Sequence, residues 1–209
     1  MRQKDLVLFD FDGTLTSSDS LLRFLLFAVP PLKLLTGAIV LAFQYLKTIW
    51  SGQWTNEKGK EALLSIFFKG LTLEALEQLG TTFCRDKLPR ILRPELLAML
   101  REYRDAGAVV AIVSASPDTW LAPFCSAEQV QLICTGLHYE DGKYTGALAT
   151  PNCNGPEKAR RIRAAFDLAL FQKIIAFGNS AGDLEMLALA DEAYMVRKGK
   201  HQLITTPAF

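Results

Sequence analysis

The sequence predicts an α/β protein: a doubly wound parallel sheet with a helical cap inserted after the first strand. Three observations carry that expectation. Short apolar runs at Leu6–Leu8, Ala108–Val113 and Lys173–Phe177 lack polar alternation, as strands covered on both faces do. Helical segments separate the later runs, and that alternation builds parallel sheets. Between the first strand and the first such alternation lies a stretch, about Thr16 to Leu88, that reads as helix throughout. The expected division is therefore a core of residues 1–15 and 89–209 with a cap of residues 16–88.

Length and composition narrow the classes. A chain of 209 residues fits one large domain or a core with an insertion. A formal net charge of +1 gives no clustered basic excess, so nucleic acid is not an expected partner. Cys84, Cys125, Cys134 and Cys153 form no C-x-x-C pair and have no histidine at zinc-ligand spacing. Free thiols and a cytoplasmic location are expected, and no signal peptide is read at the start. His138 and His201 are the only histidines, which excludes a multi-histidine metal site.

Taken in order, Leu6 to Leu8 opens the first strand, and Thr16 to Ser20 supplies N-cap candidates for the helix that follows. The apolar tract from Leu21 to Trp50 is broken at Pro30-Pro31 and predicts two helices. Its longest uncharged, proline-free piece, Leu34 to Leu46, would span only about 20 Å, short of a bilayer core. Two readings of this tract stay open: helices packed in a cap, or a surface making peripheral contact with the inner face of a membrane. Trp50 and Trp54 suit either. Helices are expected at Asn56–Phe68, with Gly70 following, and at Leu73–Leu88 after a Thr72 cap. Pro94 opens a helix that Gly107 ends, and after the strand Ala108–Val113 the Ser114–Asp118 segment turns into a helix from Thr119. Leu132–Cys134 reads as a strand, Gly136–Leu148 as a hairpin and Pro156–Leu168 as a helix. Lys173–Phe177 is a buried strand, Leu184–Leu189 a helix and Ala193–Val196 a last strand.

Chemistry gathers at four of the junctions. Phe9-Asp10-Phe11-Asp12-Gly13-Thr14-Leu15-Thr16 ends the first strand with two carboxylates two residues apart, followed by a glycine that frees the backbone to turn. Two carboxylates in one small volume call for a cation or a shared proton, while an Asx-rich turn is the plain structural alternative. Val113-Ser114-Ala115-Ser116-Pro117 puts hydroxyls and N–H groups at a helix entry, suited to an anionic oxygen or to a simple helix cap. Cys153-Asn154-Gly155-Pro156-Glu157-Lys158 places Lys158 in the first turn of a helix, where the dipole opposes it unless anions sit nearby. Gly178-Asn179-Ser180-Ala181-Gly182-Asp183 follows another buried strand.

These four stretches, in this order, resemble the motifs of haloacid-dehalogenase-type phosphatases, in the branch similar to phosphoserine phosphatases that carries a helical cap after the first strand. The resemblance implies roles. Asp10 is the nucleophile that forms an aspartyl-phosphate, and Asp12 is the general acid and base. Ser114 holds phosphate and Lys158 neutralises it, with Gly13, Ala115 and Asp19 also at the substrate. Magnesium is the implied cofactor, held by Asp10, Asp12, Asn179 and Asp183, with Asp12 contributing its main-chain carbonyl. The chain departs from the family pattern at Asn179, where an acid is usual; an amide oxygen ligates magnesium without bringing charge. The implied activity is magnesium-dependent hydrolysis of a phosphomonoester, either a small molecule or a lipid headgroup phosphate. The alternatives are a phosphotransferase using the same intermediate and a phosphoserine phosphatase. The last would want an arginine in the cap for the amino-acid carboxylate, and no arginine lies between Arg23 and Arg85.

Overall fold

The computed structural model describes residues 4–50, 55–197 and 200–204, without the side chains of 47–50, 56 and 200–204. Trp54 and the Trp50 side chain, read above as core or interfacial, lie outside the described residues.

Strand β1 (Leu6–Phe9) is buried over its whole length and sits inside a six-stranded sheet. On one side it pairs in parallel with β2 (Val109–Pro117), which pairs with β3 (Gln131–Thr135). On the other side come β6 (Ile174–Gly178) and β7 (Glu192–Arg197), again parallel. The period-2 geometry of a strand divides the core. Val7 and Phe9 join one apolar cluster with Ile112, Trp120 and Phe177, while Leu6 and Leu8 join the other with Ala176, Ile162 and Leu187. Helices α5 (Pro94–Asp105) and α6 (Asp118–Glu128) bury residues in the first cluster, and α7 (Pro156–Ala165) and α8 (Leu184–Leu187) in the second. Both faces are thus covered, which is why the strands carry no polar alternation. Stacked rings tie the centre of the sheet together, Phe9 on Phe177 at 4.5 Å and Phe177 on Tyr194 at 4.8 Å between centroids.

Four helices fill the segment after β1: α1 (Ser20–Ala28), α2 (Pro31–Trp50), α3 (Asn56–Phe68) and α4 (Leu73–Asp86). Their starts are chemically marked. Asp19 accepts from Leu22 N at 2.9 Å, Thr55 from Lys58 N and Thr72 from Ala75 N, each closing an orphan N–H. The break at Pro30 separates α1 from α2 as the prolines require. Phe24 meets Phe68, Phe83 and Trp120, so the cap helices and α6 share one aromatic cluster. A two-stranded hairpin, β4 (Leu137–Glu140) and β5 (Lys143–Leu148), meets α3. Among the described residues no helix is long and apolar enough to cross a membrane.

The structure corrects four sequence boundaries. Strand β7 is not the last: β8 (Lys200–Ile204) pairs antiparallel with it at the sheet edge. Strand β2 does not stop at Val113 but continues to Pro117 through a register irregularity, so Ser114 and Ser116 belong to the strand's end. Helix α7 ends at Ala165 because Phe166 takes an extended conformation and is buried against the sheet. Helix α8 stops at Leu187, where Leu189 N and Ala190 N bond back three residues instead of four.

The strand order β3-β2-β1-β6-β7 reverses direction across β1. Ligands of such sheets bind outside the carboxyl ends of the strands at that reversal. The carboxyl ends of β1, β2 and β6 carry three of the four motifs.

Candidate active site

At the end of β1, Asp10 N donates to Phe177 O at 2.8 Å, the last bond before the chain leaves the sheet. Residues Phe11–Leu15 then make a single wide turn, closed by Thr16 N on Phe11 O at 3.0 Å. Gly13 permits it: its φ is +82°, and a Cβ there would lie 2.1 Å from the Asn179 amide. The turn sends the two carboxylates to different partners, so they do not crowd as a continuing strand would make them. Asp10 Oδ1 meets Lys158 Nζ at 2.5 Å, and its Oδ2 accepts from Thr14 Oγ1 at 2.8 Å. The Asp12 carboxylate accepts from Ser20 N at 2.6 Å and from Ser116 Oγ at 2.5 Å, reaching across to the N-terminus of α1 and to the end of β2.

Lys158 lies in the first turn of α7 and is 1% exposed. Its ammonium is shared between Asp10 Oδ1 and Asp183 Oδ1, the latter at 2.7 Å. A buried charge against the helix dipole is tolerable only with such partners. Burial pulls the Lys158 ammonium down, but the two carboxylates more than offset it and hold it above the ordinary lysine value. For Asp10, burial outweighs the pull of Lys158, and the carboxyl is raised to about 6. Burial also raises Asp12, against the bonds from Ser116 and Ser20.

Asp183 is held from all sides. Its Oδ2 accepts from Asn179 N, Ser180 N and Ser180 Oγ at 2.9–3.0 Å, and Oδ1 takes Lys158. The loops carrying Lys158 and Asp183 are also joined directly, Gly155 N to Gly182 O at 2.9 Å. Ser114 Oγ is buried in the cleft and accepts from Ser116 N at 3.0 Å, which leaves its proton to donate outward. Asp19, besides capping α1, lines the mouth of the cleft.

Metal fit rests on Asn179. Its side-chain amide lies 3.2 Å from both Asp10 Oδ2 and the Asp12 carbonyl oxygen. With its nitrogen turned there it donates to both. With its oxygen turned there, three oxygens converge on one point, a hard-donor set that a small divalent cation neutralises. Among the described residues no three His, Cys, Asp or Glu side chains cluster around a metal position, so the set depends on a main-chain carbonyl and an amide. Among the described residues, four carboxylates (Asp10, Asp12, Asp19 and Asp183) and two ammoniums (Lys60 and Lys158) line the cleft, which leaves it net negative. The residues present fit magnesium.

Sequence reasoning missed several groups. Lys60, on α3, reaches into the cleft and donates to Ala115 O and Asn152 Oδ1 at 2.7 Å each. Burial pulls its ammonium down while Asp12 and Asp19 pull it up. Its sequence signal is a lysine in the helical insertion, which an expectation of arginine passes over. Ser20 and Ser116 read as helix-cap candidates, and their hold on Asp12 depends on how the start of α1 and the end of β2 come together. Trp120 Nε1 completes that chain by donating to Ser20 Oγ at 2.9 Å.

Known proteins bear on this geometry. The model of the haloacid dehalogenase-like hydrolase family matches residues 7–188. Protein CicA of Caulobacter vibrioides (strain NA1000 / CB15N) is 37% identical over 206 residues, 93% of this chain and 87% of that protein. A crystal structure of a protein of unknown function from Bordetella pertussis Tohama I superposes with a TM-score of 0.75 at 26% identity, covering 92% of this chain and 89% of that one. A phospho-aspartyl intermediate analogue of phosphoserine phosphatase superposes with a TM-score of 0.62 at 21% identity, covering 92% and 86%, a likeness of fold.

Proposed function

Since the chain belongs to the haloacid dehalogenase-like hydrolases, we propose that it hydrolyses phosphomonoesters through an aspartyl-phosphate on Asp10, with magnesium as cofactor. The observation that carries the reading is the buried Lys158 ammonium beside Asp10 Oδ1, at the floor of a cleft where the Ser114 hydroxyl and the Asp12 carboxyl also end. Asp10 Oδ1 attacks phosphorus and the bond to the leaving oxygen breaks. Asp12 gives that oxygen its proton. Asp12 then takes a proton from water, the water oxygen attacks phosphorus, and Asp10 leaves as carboxylate while phosphate departs. Lys158 and the Ser114 hydroxyl meet the phosphoryl oxygens and favour the charge that develops on them. Asp10, the Asp12 carbonyl and the Asn179 amide would hold magnesium, which would supply the positive charge that a dianion needs to enter this acidic cleft. Asp183 then serves to fix the Asn179–Ser180 loop and Lys158, outside the direct ligand set.

A cavity of about 170 Å³ supports a small substrate. That leaves room for a phosphate and a short remainder. That remainder belongs to a small phosphomonoester or to the headgroup end of a phosphorylated lipid. Lys60 and Asp19, both offered from residues 16–88, favour a remainder that carries charge, so a phosphorylated amino acid such as phosphoserine stands as a second reading despite the missing arginine.

The test is a panel of phosphate esters, from p-nitrophenyl phosphate through phosphoserine to lipid phosphates, assayed with magnesium and with chelator. Wild type releases phosphate only with the metal, and Asp10→Asn releases none while melting normally. Near-normal rates in Asp10→Asn overturn the covalent mechanism. Added glycerol separates hydrolysis from phosphoryl transfer, since a transferase makes glycerol phosphate.

A further inference from the structure

The first two cap helices each bare apolar side chains to solvent. On α2, Leu32, Leu35, Ile39 and Leu46 are each 61–74% exposed, and their spacing of three, four and seven puts them on one helical stripe. The opposite side packs on α3 through Gly37, whose missing Cβ leaves room for the Phe67 ring. On α1, Leu22 and Leu26 are each 56% exposed and one turn apart. Scattered exposed leucines need no explanation, but a run of them on successive helices marks an interaction surface.

Charge narrows what covers it. Between Asp19 and Glu57 the sequence has no acidic residue. Beside Leu26 opens a cavity of about 240 Å³ with an apolar floor of Phe27, Phe83 and Ile91 and a rim of Arg23, Lys87 and Arg90. Lys87 Nζ stands 5.8 Å above the Phe27 ring, and the neighbouring acid Asp86 is engaged by Arg85 at 2.7 Å. Apolar floor with cationic rim is complementary to an amphiphile whose head is anionic. A second copy of this chain docking face to face would bring these cations against their own equivalents. We propose that the α1–α2 face docks on an anionic phospholipid bilayer, with Arg23, Lys87 and Arg90 meeting lipid phosphates while the α2 stripe enters the headgroup boundary. Leu21, at the start of the same helix α1, lines the catalytic cleft, so docking sets the cleft at the membrane surface.

Binding is read without turnover, so this proposal and the catalytic one fail separately. The probes are vesicles of phosphatidylcholine alone and vesicles with about a third phosphatidylglycerol, floated with the full chain at low and high salt. The protein floats with the anionic vesicles at low salt and not with the neutral ones. Ile39→Glu lowers the partition by about tenfold or more. Lys87→Ala with Arg90→Ala lowers it by about fivefold for each charge removed. Neither variant touches the catalytic groups, so an unchanged melting temperature and unchanged p-nitrophenyl phosphate turnover confirm their fold. Flotation with neither vesicle, or with both alike, overturns the proposal. So does a dimer in sedimentation that Ile39→Glu converts to monomer without changing vesicle binding.

Discussion

Asn179 and Asp183 sit four residues apart on one loop and do different work. Asp183 spends both carboxylate oxygens on Lys158 and on the loop's own donors, whereas Asn179 turns its amide toward Asp10 and the Asp12 carbonyl. An aspartate at 179 would add an anionic oxygen at nearly the same size where two oxygens already converge. Asn179→Asp is therefore expected to tighten magnesium, seen both by calorimetry and as a lower midpoint in a metal titration of rate, with a higher KM because the added charge opposes phosphate. An unchanged midpoint and unchanged calorimetry would remove this loop from the metal. Asp183→Asn cannot accept from two N–H groups, a hydroxyl and an ammonium together, so it should lower thermal stability as well as rate. Both positions were legible in the sequence, Asp183 as a match to its motif and Asn179 as the departure from it. Their division of labour was not, because it depends on which way each side chain points.

At the scale of elements, the packing of α4 on α6 shows how closely the cap meets the sheet's helices. Gly80 lies against the start of α6, and a Cβ there would fall 1.9 Å from Thr119 O, a main-chain atom that cannot swing aside. Gly80→Ala must separate the two helices and is expected to cost about 1–3 kcal/mol, the usual range for overpacking. Chemical denaturation would read it as a lower midpoint, and an unchanged midpoint would contradict the contact. Helix starts followed from capping residues that local chemistry identifies, as at Thr72 and Pro94. Ends were less legible. Helix α7 stops where Phe166 finds the core, and β2 continues past Val113 because Pro117 still pairs with Thr135 on β3, and both causes are tertiary.

In the whole molecule, α3 fastens the helical segment to the core. Lys60 holds Ala115 O and Asn152 Oδ1, Glu57 accepts from Asn152 N and Glu61 from Leu148 N, each at 2.7–3.0 Å. Lys60 is both part of this clasp and a cation in the same cleft as Asp12, whose charge it feels. Lys60→Met should lower kcat/KM about tenfold or more for substrates with an anionic remainder, the worth of a charged hydrogen bond. Turnover of p-nitrophenyl phosphate, which has no such group, should fall less, and equal losses on both would reduce Lys60 to a structural tie. The sequence by itself determined the alternation of buried strands and helices, the helical insertion after β1 and the four stretches that bear Asp10, Ser114, Lys158 and Asp183. Those follow from local periodicity, turn chemistry and residue type, which neighbours in the chain decide. Only the tertiary structure decided that Lys158 bridges Asp10 and Asp183, that Ser20 and Ser116 hold Asp12, that Lys60 enters the cleft and that α2 bares one apolar stripe. Each joins residues from separate elements, and such contacts exist only once the sheet and cap have packed.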